Sequence, residues 1–184
     1  MTRLFLSVPA LLALFGLFLP AAEPAKVAVG EQAPAFKIKD QNGKEIDLAE
    51  LTAKGPVLVR LTCGCSGCDK ELAYFQELDA AYKDKGLISL YVFKEPDAKV
   101  ATYAKDKKLN LIYAVDSKGE SWNVFQTKTM PTNFLIEKGG KIVAVAAGCE
   151  ASGLIAQKLS GKVAETIKTD TVDVKAKVQD KKDK

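Results

Sequence analysis

Three cysteines, Cys63, Cys65 and Cys68, stand within six residues, where an apolar run ends and a helical pattern begins. Cys65 and Cys68 have the C-x-x-C spacing, which lets two thiols at a helix N-terminus face each other and close a small, reducible disulfide ring. The amides and the dipole of such a helix favour the thiolate and lower the pKa of its first cysteine below about 8.5. Cys65 is therefore predicted to be the nucleophile of a thiol-disulfide exchange. The alternatives at this point are that the four cysteines of the chain form two structural disulfides or one metal site.

The residues around these cysteines predict a strand before them and a helix behind them. Residues 56–62 and 87–93 are apolar and rich in β-branched side chains, and they are too short for helices. Both runs are therefore predicted to be buried strands. Between them, Leu72 and Phe75 belong to a helical repeat, and Gly86 stands where that helix should end.

The rest of the domain also alternates strands with helices. The predicted strands are 36–39, 45–48, 56–62, 87–93, 111–115, 132–136 and 141–147, and the later helices are at about 97–107 and 151–167. Strands that alternate with helices imply crossover connections and a partly parallel sheet. The turn signals Asn42-Gly43 and Gly139-Gly140 predict an N-terminal hairpin and an antiparallel pair at the end of the sheet.

The N-terminus carries a targeting pattern. Residues 4–22 are almost wholly apolar, follow Arg3 and precede small residues, which predicts a signal peptide over 1–25 and a secreted or periplasmic protein. A membrane anchor facing the periplasm is the alternative, since the run is near the ~20 residues that span a bilayer. Pro9 and Pro20 weaken that alternative, and a membrane partner is expected only if the segment stays uncleaved.

The charge pattern argues against one class of partner. The 184 residues carry a formal net charge of +4, and their lysines are mixed with acids. Because there is no basic block with interleaved aromatic residues, nucleic acid is not an expected partner. Residues 169–184 are rich in Asp and Lys and are predicted to form a solvated, disordered tail, which leaves 26–168 as one folded domain.

The chain resembles the thioredoxin-like redoxin superfamily and, within it, the TlpA/ResA-type extracytoplasmic thiol-disulfide oxidoreductases. This resemblance implies an α/β thioredoxin-like fold, with a central mixed sheet flanked by helices and an N-terminal β-hairpin extension. The segments that carry the resemblance are 30–36 (G-x-x-A-P-x-F), Asn42-Gly43-Lys44, Asp47-Leu48, the C-x-x-C pair, Met130-Pro131-Thr132, Phe134-Leu135-Ile136 and Gly148.

The resemblance also implies roles for individual residues. Cys65 would attack and form the mixed disulfide, and Cys68 would resolve it. Pro131 would follow a cis peptide bond and pack against the dithiol, where it leaves neighbouring backbone groups free to pair with a substrate segment. Glu71 matches an acid behind the family's C-x-x-C and could exchange protons with the dithiol, although acids are also common in first helical turns because of the dipole.

The chain departs from the family in the residues around the dithiol. Gly64 stands where the family usually has an aromatic residue, and Cys63 adds a thiol before it. Arg60 interrupts the apolar strand, so it needs either a partner such as Glu71 or a C-terminal acid, or a place at a solvated sheet edge. A peroxidase pattern ending at Cys63 would require a hydroxyl where Arg60 stands, which disfavours peroxidase activity.

The resemblance brings Cys149 close to Cys63, Cys65 and Cys68. Three chemistries stay open: a C-x-x-C disulfide with a second Cys63–Cys149 bond, a relay among the thiols, or a thiolate metal site. The chain has no histidine, so a metal held by these cysteines would be Zn or Cu(I).

Two functions therefore remain possible. The first is thiol-disulfide exchange, which needs no cofactor. Its expected partners are substrate proteins with thiols or disulfides and an unidentified electron donor. The alternative is a metal-binding or metal-delivery module.

Overall fold

The computed structural model describes residues 26–183, so the predicted signal peptide and Lys184 lie outside the described residues. The strands are β1 (Lys37–Lys39), β2 (Glu45–Asp47), β3 (Val57–Thr62), β4 (Ile88–Phe93), β5 (Ile112–Val115), β6 (Thr132–Ile136) and β7 (Ile142–Ala147). The helices are α1 (Leu48–Lys54), α2 (Ser66–Tyr82), α3 (Asp97–Asp106), α4 (Glu120–Val124), α5 (Leu154–Ile167) and α6 (Val174–Lys182). No helix among residues 26–183 combines the length and the apolar character needed to cross a bilayer.

The central sheet has five strands in the order β5-β4-β3-β6-β7. β3 pairs parallel with β4 and antiparallel with β6, while β1 and β2 form the separate N-terminal hairpin. Every residue of β3 is buried, which is why this strand reads as an almost continuous apolar run. The predicted mixed sheet with a hairpin extension is confirmed, and its middle strand leads directly to the cysteines.

Each face of the sheet has its own apolar core. One core packs α2, α3, α5 and α6 on side chains such as Leu58 and Phe93, and the other packs α1 and α4 on side chains such as Val59 and Phe134. Because successive side chains of a strand point to opposite faces, neighbouring positions of β3 serve different cores. The helices therefore cover both faces, as the thioredoxin-like prediction requires.

Helix α2 begins at the cysteines and packs one face into the apolar core. Cys65 is its N-cap residue, in an extended conformation, while Leu72, Phe75 and Leu78 pack into the core. A short 3-10 turn follows the helix and ends at Gly86, whose φ of 99° is a conformation that glycine adopts without strain. The predicted helix and its end at Gly86 are confirmed.

The predicted disordered tail was wrong for most of its length. Residues 174–182 form α6, with Asp173 capping its first turn through a hydrogen bond from the Ala176 amide. Val174 and Val178 are buried against α2 and α5. Two valines one helical turn apart are enough to dock a helix that is otherwise made of charged residues, and the low average hydropathy of the segment concealed this stripe.

We expect Val174→Ala to lower the free energy of unfolding by about 1 to 3 kcal/mol, because it removes buried methyl groups and leaves a cavity. Urea denaturation of residues 26–184 measures this difference. The matched control is Lys177→Ala on the exposed side of α6, which should stay within about 0.5 kcal/mol of the parent protein. Equal stability of all three proteins would show that the buried Val174 side chain does not stabilise the fold.

Candidate active site

The C-x-x-C pair presents one exposed and one buried thiol. Cys65 is exposed at the N-cap of α2, and Cys68 lies in the first turn with only 4% of its surface exposed. Both are free thiols in this structure. A substrate protein can therefore reach the exposed Cys65. The buried Cys68 is available only to groups that are already bound at Cys65.

Cys63 completes a cluster of three thiols. Its sulfur lies 2.6 Å from Cys65 Sγ and 3.4 Å from Cys68 Sγ, and the three sulfur atoms all lie within 4.8 Å of one another. Cys63 is 8% exposed, so the cluster has two buried members and one exposed member. The sequence showed the spacing of these cysteines, but only the fold shows that Cys63 turns toward the dithiol.

The pKa values of Cys63 and Cys65 are shifted in opposite directions within the cluster. The pKa of Cys65 is lowered, first by the hydrogen bond that the Cys63 thiol donates to its sulfur and then by the backbone amide of Cys68. Burial raises the pKa of Cys63, so Cys63 stays a neutral thiol and keeps its proton for donation. The hydrogen bond from Cys63 thus favours the thiolate form of Cys65, and the role of Cys65 as the nucleophile stays a prediction.

We expect iodoacetamide at mildly acidic pH to alkylate Cys65 before Cys68, because the thiolate is the reacting form. Cys63→Ala should move the pH profile of this alkylation to higher pH, whereas Cys63→Ser keeps a donor and should move it less. The measurement is the alkylation rate at each cysteine against pH, read by mass spectrometry. Faster labelling of Cys68, or the same profile in Cys63→Ala, would contradict this account.

Arg60 and Glu71 form a buried ion pair beneath the cluster. Arg60 Nη2 donates to Glu71 Oε2 at 2.9 Å, with both side chains at most 2% exposed. Arg60 also donates to Asn133 Oδ1 at 2.8 Å, and its guanidinium lies 3.9 Å from the centre of the Phe75 ring. The prediction that a buried Arg60 needs an acidic partner is confirmed: of the two kinds of acid expected, Glu71 and not a C-terminal acid pairs with it, and the solvated-edge alternative is wrong.

Glu71 also connects α2 to the loop that follows β7. Its second oxygen, Oε1, accepts a hydrogen bond from the Glu150 amide at 2.8 Å. Cys149, the residue before, donates from its thiol to the Gly67 carbonyl at 2.9 Å, and burial raises its pKa. The structure therefore brings Cys149 to the start of α2, but not into the group of three thiols, and it is also a free thiol.

Pro131 lies at the same end of the sheet. The Met130–Pro131 peptide bond is cis, as the resemblance implied, and Pro131 accepts a hydrogen bond from the Gly148 amide at 2.8 Å. Leu61 pairs with Thr132, so Pro131 stands beside the carboxyl end of β3, from which the chain leads to the cysteines. The roles of Pro131 and Glu71 in the chemistry stay predictions.

An open cavity of about 360 Å³ lies beside the residue that precedes Cys65. Gly64 lines it together with Phe93, Val100 and Tyr103. A Cβ atom at Gly64 would meet the Tyr103 ring at 3.4 Å, which is an ordinary van der Waals contact. The glycine that stands where the family usually has an aromatic residue thus lines a recess with apolar walls and a polar rim, the latter formed by Glu95, Lys99, Thr102 and Asp106.

Comparisons with known proteins agree with this geometry. A family model described as the AhpC/TSA family matches residues 29–145. The thiol-disulfide oxidoreductase ResA of Bacillus thuringiensis subsp. konkukian is 35% identical over 119 residues, which are 64% of this chain and 69% of that protein.

Solved structures show the same fold. A candidate thiol:disulfide interchange protein DsbE from Chlorobium tepidum matches with a TM-score of 0.70 and 22% identity, over 77% of this chain and 99% of that one. A thiol:disulfide interchange protein from a Bacteroides species matches with a TM-score of 0.63 and 24% identity, over 74% and 91% of the two chains. At such identities the likeness concerns the fold alone.

Proposed function

We propose that this chain, which belongs to the AhpC/TSA family and is a thiol-disulfide oxidoreductase, exchanges disulfides with secreted proteins outside the cytoplasm. The observation that carries the proposal is the exposed Cys65 thiol at the start of α2, with the buried Cys68 thiol in the next turn. The three-residue spacing suits a disulfide that forms and opens in each cycle.

The reaction follows from the order of the two thiols. The Cys65 thiolate attacks one sulfur of a substrate disulfide, and the other substrate sulfur leaves as a thiolate. Cys68 then loses its proton and attacks Cys65, which releases the reduced substrate and leaves a Cys65–Cys68 disulfide. An electron donor must reduce this disulfide before the next cycle, so we propose such a donor as a second partner.

Export is the part of the proposal that depends on the N-terminal residues. The signal pattern over 1–25 supports an extracytoplasmic location, where protein disulfides persist and an exchange enzyme has substrates. Fractionation of a bacterial host that expresses the full chain tests this. We expect a protein in the periplasmic fraction that begins after Ala22–Ala25. Full-length protein in the membrane fraction would favour the anchored form, and protein in the cytoplasm would contradict export.

Catalysis is tested with a defined substrate. With dithiothreitol as the electron donor, residues 26–184 should accelerate the reduction of insulin disulfides, followed by the turbidity of the released chain. Full alkylation of the protein with iodoacetamide before the assay should remove this acceleration. Equal rates with and without the untreated protein would overturn the proposed exchange activity.

A thiolate metal site is a second candidate, supported by the grouping of Cys63, Cys65 and Cys68 within 4.8 Å. Three sulfur ligands suit Cu(I), whereas a Zn site needs a fourth ligand, for which Cys149 is the nearest further thiol on this end of the fold. Metal content after incubation of the reduced protein with Zn(II) or Cu(I), followed by gel filtration, tests this. A bound metal that Cys63→Ser abolishes would support the site, and metal-free protein would exclude it.

A further inference from the structure

We propose that Cys63 is a third redox-active thiol, which moves the disulfide of the oxidised enzyme from Cys65–Cys68 to Cys63–Cys68 and leaves Cys65 free. The inference rests on the proposed exchange at Cys65 and extends it to a third residue. It gives the oxidised protein a nucleophile, which an enzyme with only two active cysteines lacks.

The geometry of the cluster supports this transfer. Cys63 Sγ lies 3.4 Å from Cys68 Sγ, so the two sulfurs need to move only about 1.4 Å closer to reach the S–S bond length of about 2.05 Å. Gly64 joins Cys63 to Cys65 and leaves one side of this segment open to the cavity described above. Cys149 is not part of the group, so the transfer concerns these three thiols.

The transfer needs no external oxidant or reductant. Cys63 attacks the Cys68 sulfur of the Cys65–Cys68 disulfide, a Cys63–Cys68 bond forms, and Cys65 leaves. Cys63 gives up its proton as it attacks, and the departing Cys65 thiolate, whose sulfur lies 2.6 Å from Cys63 Sγ in the reduced protein, takes this proton up. One disulfide is lost and one is gained, so the protein stays at the same oxidation level. The thiol that forms the more stable thiolate leaves faster, which favours departure of Cys65 over Cys68.

Burial distinguishes the two disulfides. Cys63 and Cys68 are 8% and 4% exposed, so a bond between them is shielded from external thiols, whereas Cys65 stays exposed. A free Cys65 can then attack a substrate disulfide, and a second substrate thiol can displace it without net oxidation or reduction. The inferred additional activity is therefore disulfide isomerisation by the oxidised enzyme, with non-native disulfides of secreted proteins as the substrate class.

Differential labelling tests the location of the disulfide. The protein is oxidised with diamide, quenched in acid, denatured and labelled with N-ethylmaleimide, then reduced and labelled with iodoacetamide. Trypsin releases 61–70, which contains the three cysteines, and fragmentation of this linear peptide assigns the label at each one. We expect molecules with N-ethylmaleimide on Cys65 and iodoacetamide on Cys63 and Cys68.

The Cys63→Ser variant is the matched control, and its oxidised form should lose the N-ethylmaleimide label on Cys65 completely. In the parent protein, N-ethylmaleimide only on Cys63 or only on Cys68 would overturn the inference while leaving a redox-active cluster. N-ethylmaleimide on both Cys65 and Cys68 would show that no C-x-x-C disulfide forms, and would overturn the proposed function as well. Because the parent protein itself gives the decisive result, the test does not depend on the folding of the variant.

Discussion

Cys65→Ser is expected to reduce the insulin-reducing activity to the rate of dithiothreitol alone, because it removes the exposed thiolate that begins the exchange. Cys68→Ser should also prevent turnover by the two-thiol route, but it should leave Cys65 able to form a mixed disulfide that is resolved slowly. Insulin turbidity measures the first effect. Mass spectrometry of each variant after incubation with a peptide disulfide measures the second.

Cys149→Ser is the matched control for these variants, because it removes another exposed thiol at the same end of the fold. Its insulin-reducing rate should stay close to that of the parent protein. A Cys65→Ser variant with the parent's rate, or a mixed disulfide found on Cys149 in place of Cys65, would contradict the assignment of Cys65 as the nucleophile.

Glu71→Gln is expected to destabilise the folded protein by about 3 to 5 kcal/mol, because it leaves the Arg60 charge buried without its counter-charge. The neutral amide keeps the size of the side chain, so the loss reports the missing charge. Urea denaturation of the reduced protein gives the free energy of unfolding. The same variant should weaken the contact with the Glu150 amide, and so loosen the loop that carries Cys149.

Two controls separate the buried pair from surface charges. Lys162→Ala, which breaks an exposed ion pair with Glu165, should cost less than about 1 kcal/mol. The double variant Arg60→Met with Glu71→Leu should recover most of the stability lost in Glu71→Gln, since apolar residues of similar size can replace a buried pair. A Glu71→Gln variant as stable as the parent protein would show that Arg60 finds water or another partner.

Much of the fold could be predicted from local patterns. β3 could be predicted because a strand buried on both faces is apolar throughout. α2 could be predicted because its apolar side chains recur at helical spacing. The fold class and the cis bond before Pro131 came from the resemblance, which covered most of the domain. The charged α6 was missed, because two buried valines in a Lys-rich segment give too weak a pattern.

The candidate site was predicted in part, because its contacts join distant segments. C-x-x-C spacing identified Cys65 and Cys68, and a buried strand position made a partner for Arg60 necessary. The distance from Cys63 to each thiol depends on how 63–65 turns between β3 and α2, which spacing alone does not determine. The hydrogen bond from Glu150 to Glu71 joins residues 79 apart, and no local sequence signal marks it.

The most direct test of a redox-active dithiol is a titration of residues 26–184 against defined ratios of reduced and oxidised glutathione. Acid quenching and alkylation stop the exchange, and mass spectrometry then gives the fraction of protein with a disulfide in 61–70. We expect one reversible two-electron transition, with a midpoint between about −120 and −270 mV, the range of known thiol-disulfide exchange proteins. Cysteines that stay reduced throughout, or a disulfide that forms below about −300 mV and resists the glutathione pool, would contradict a catalytic dithiol.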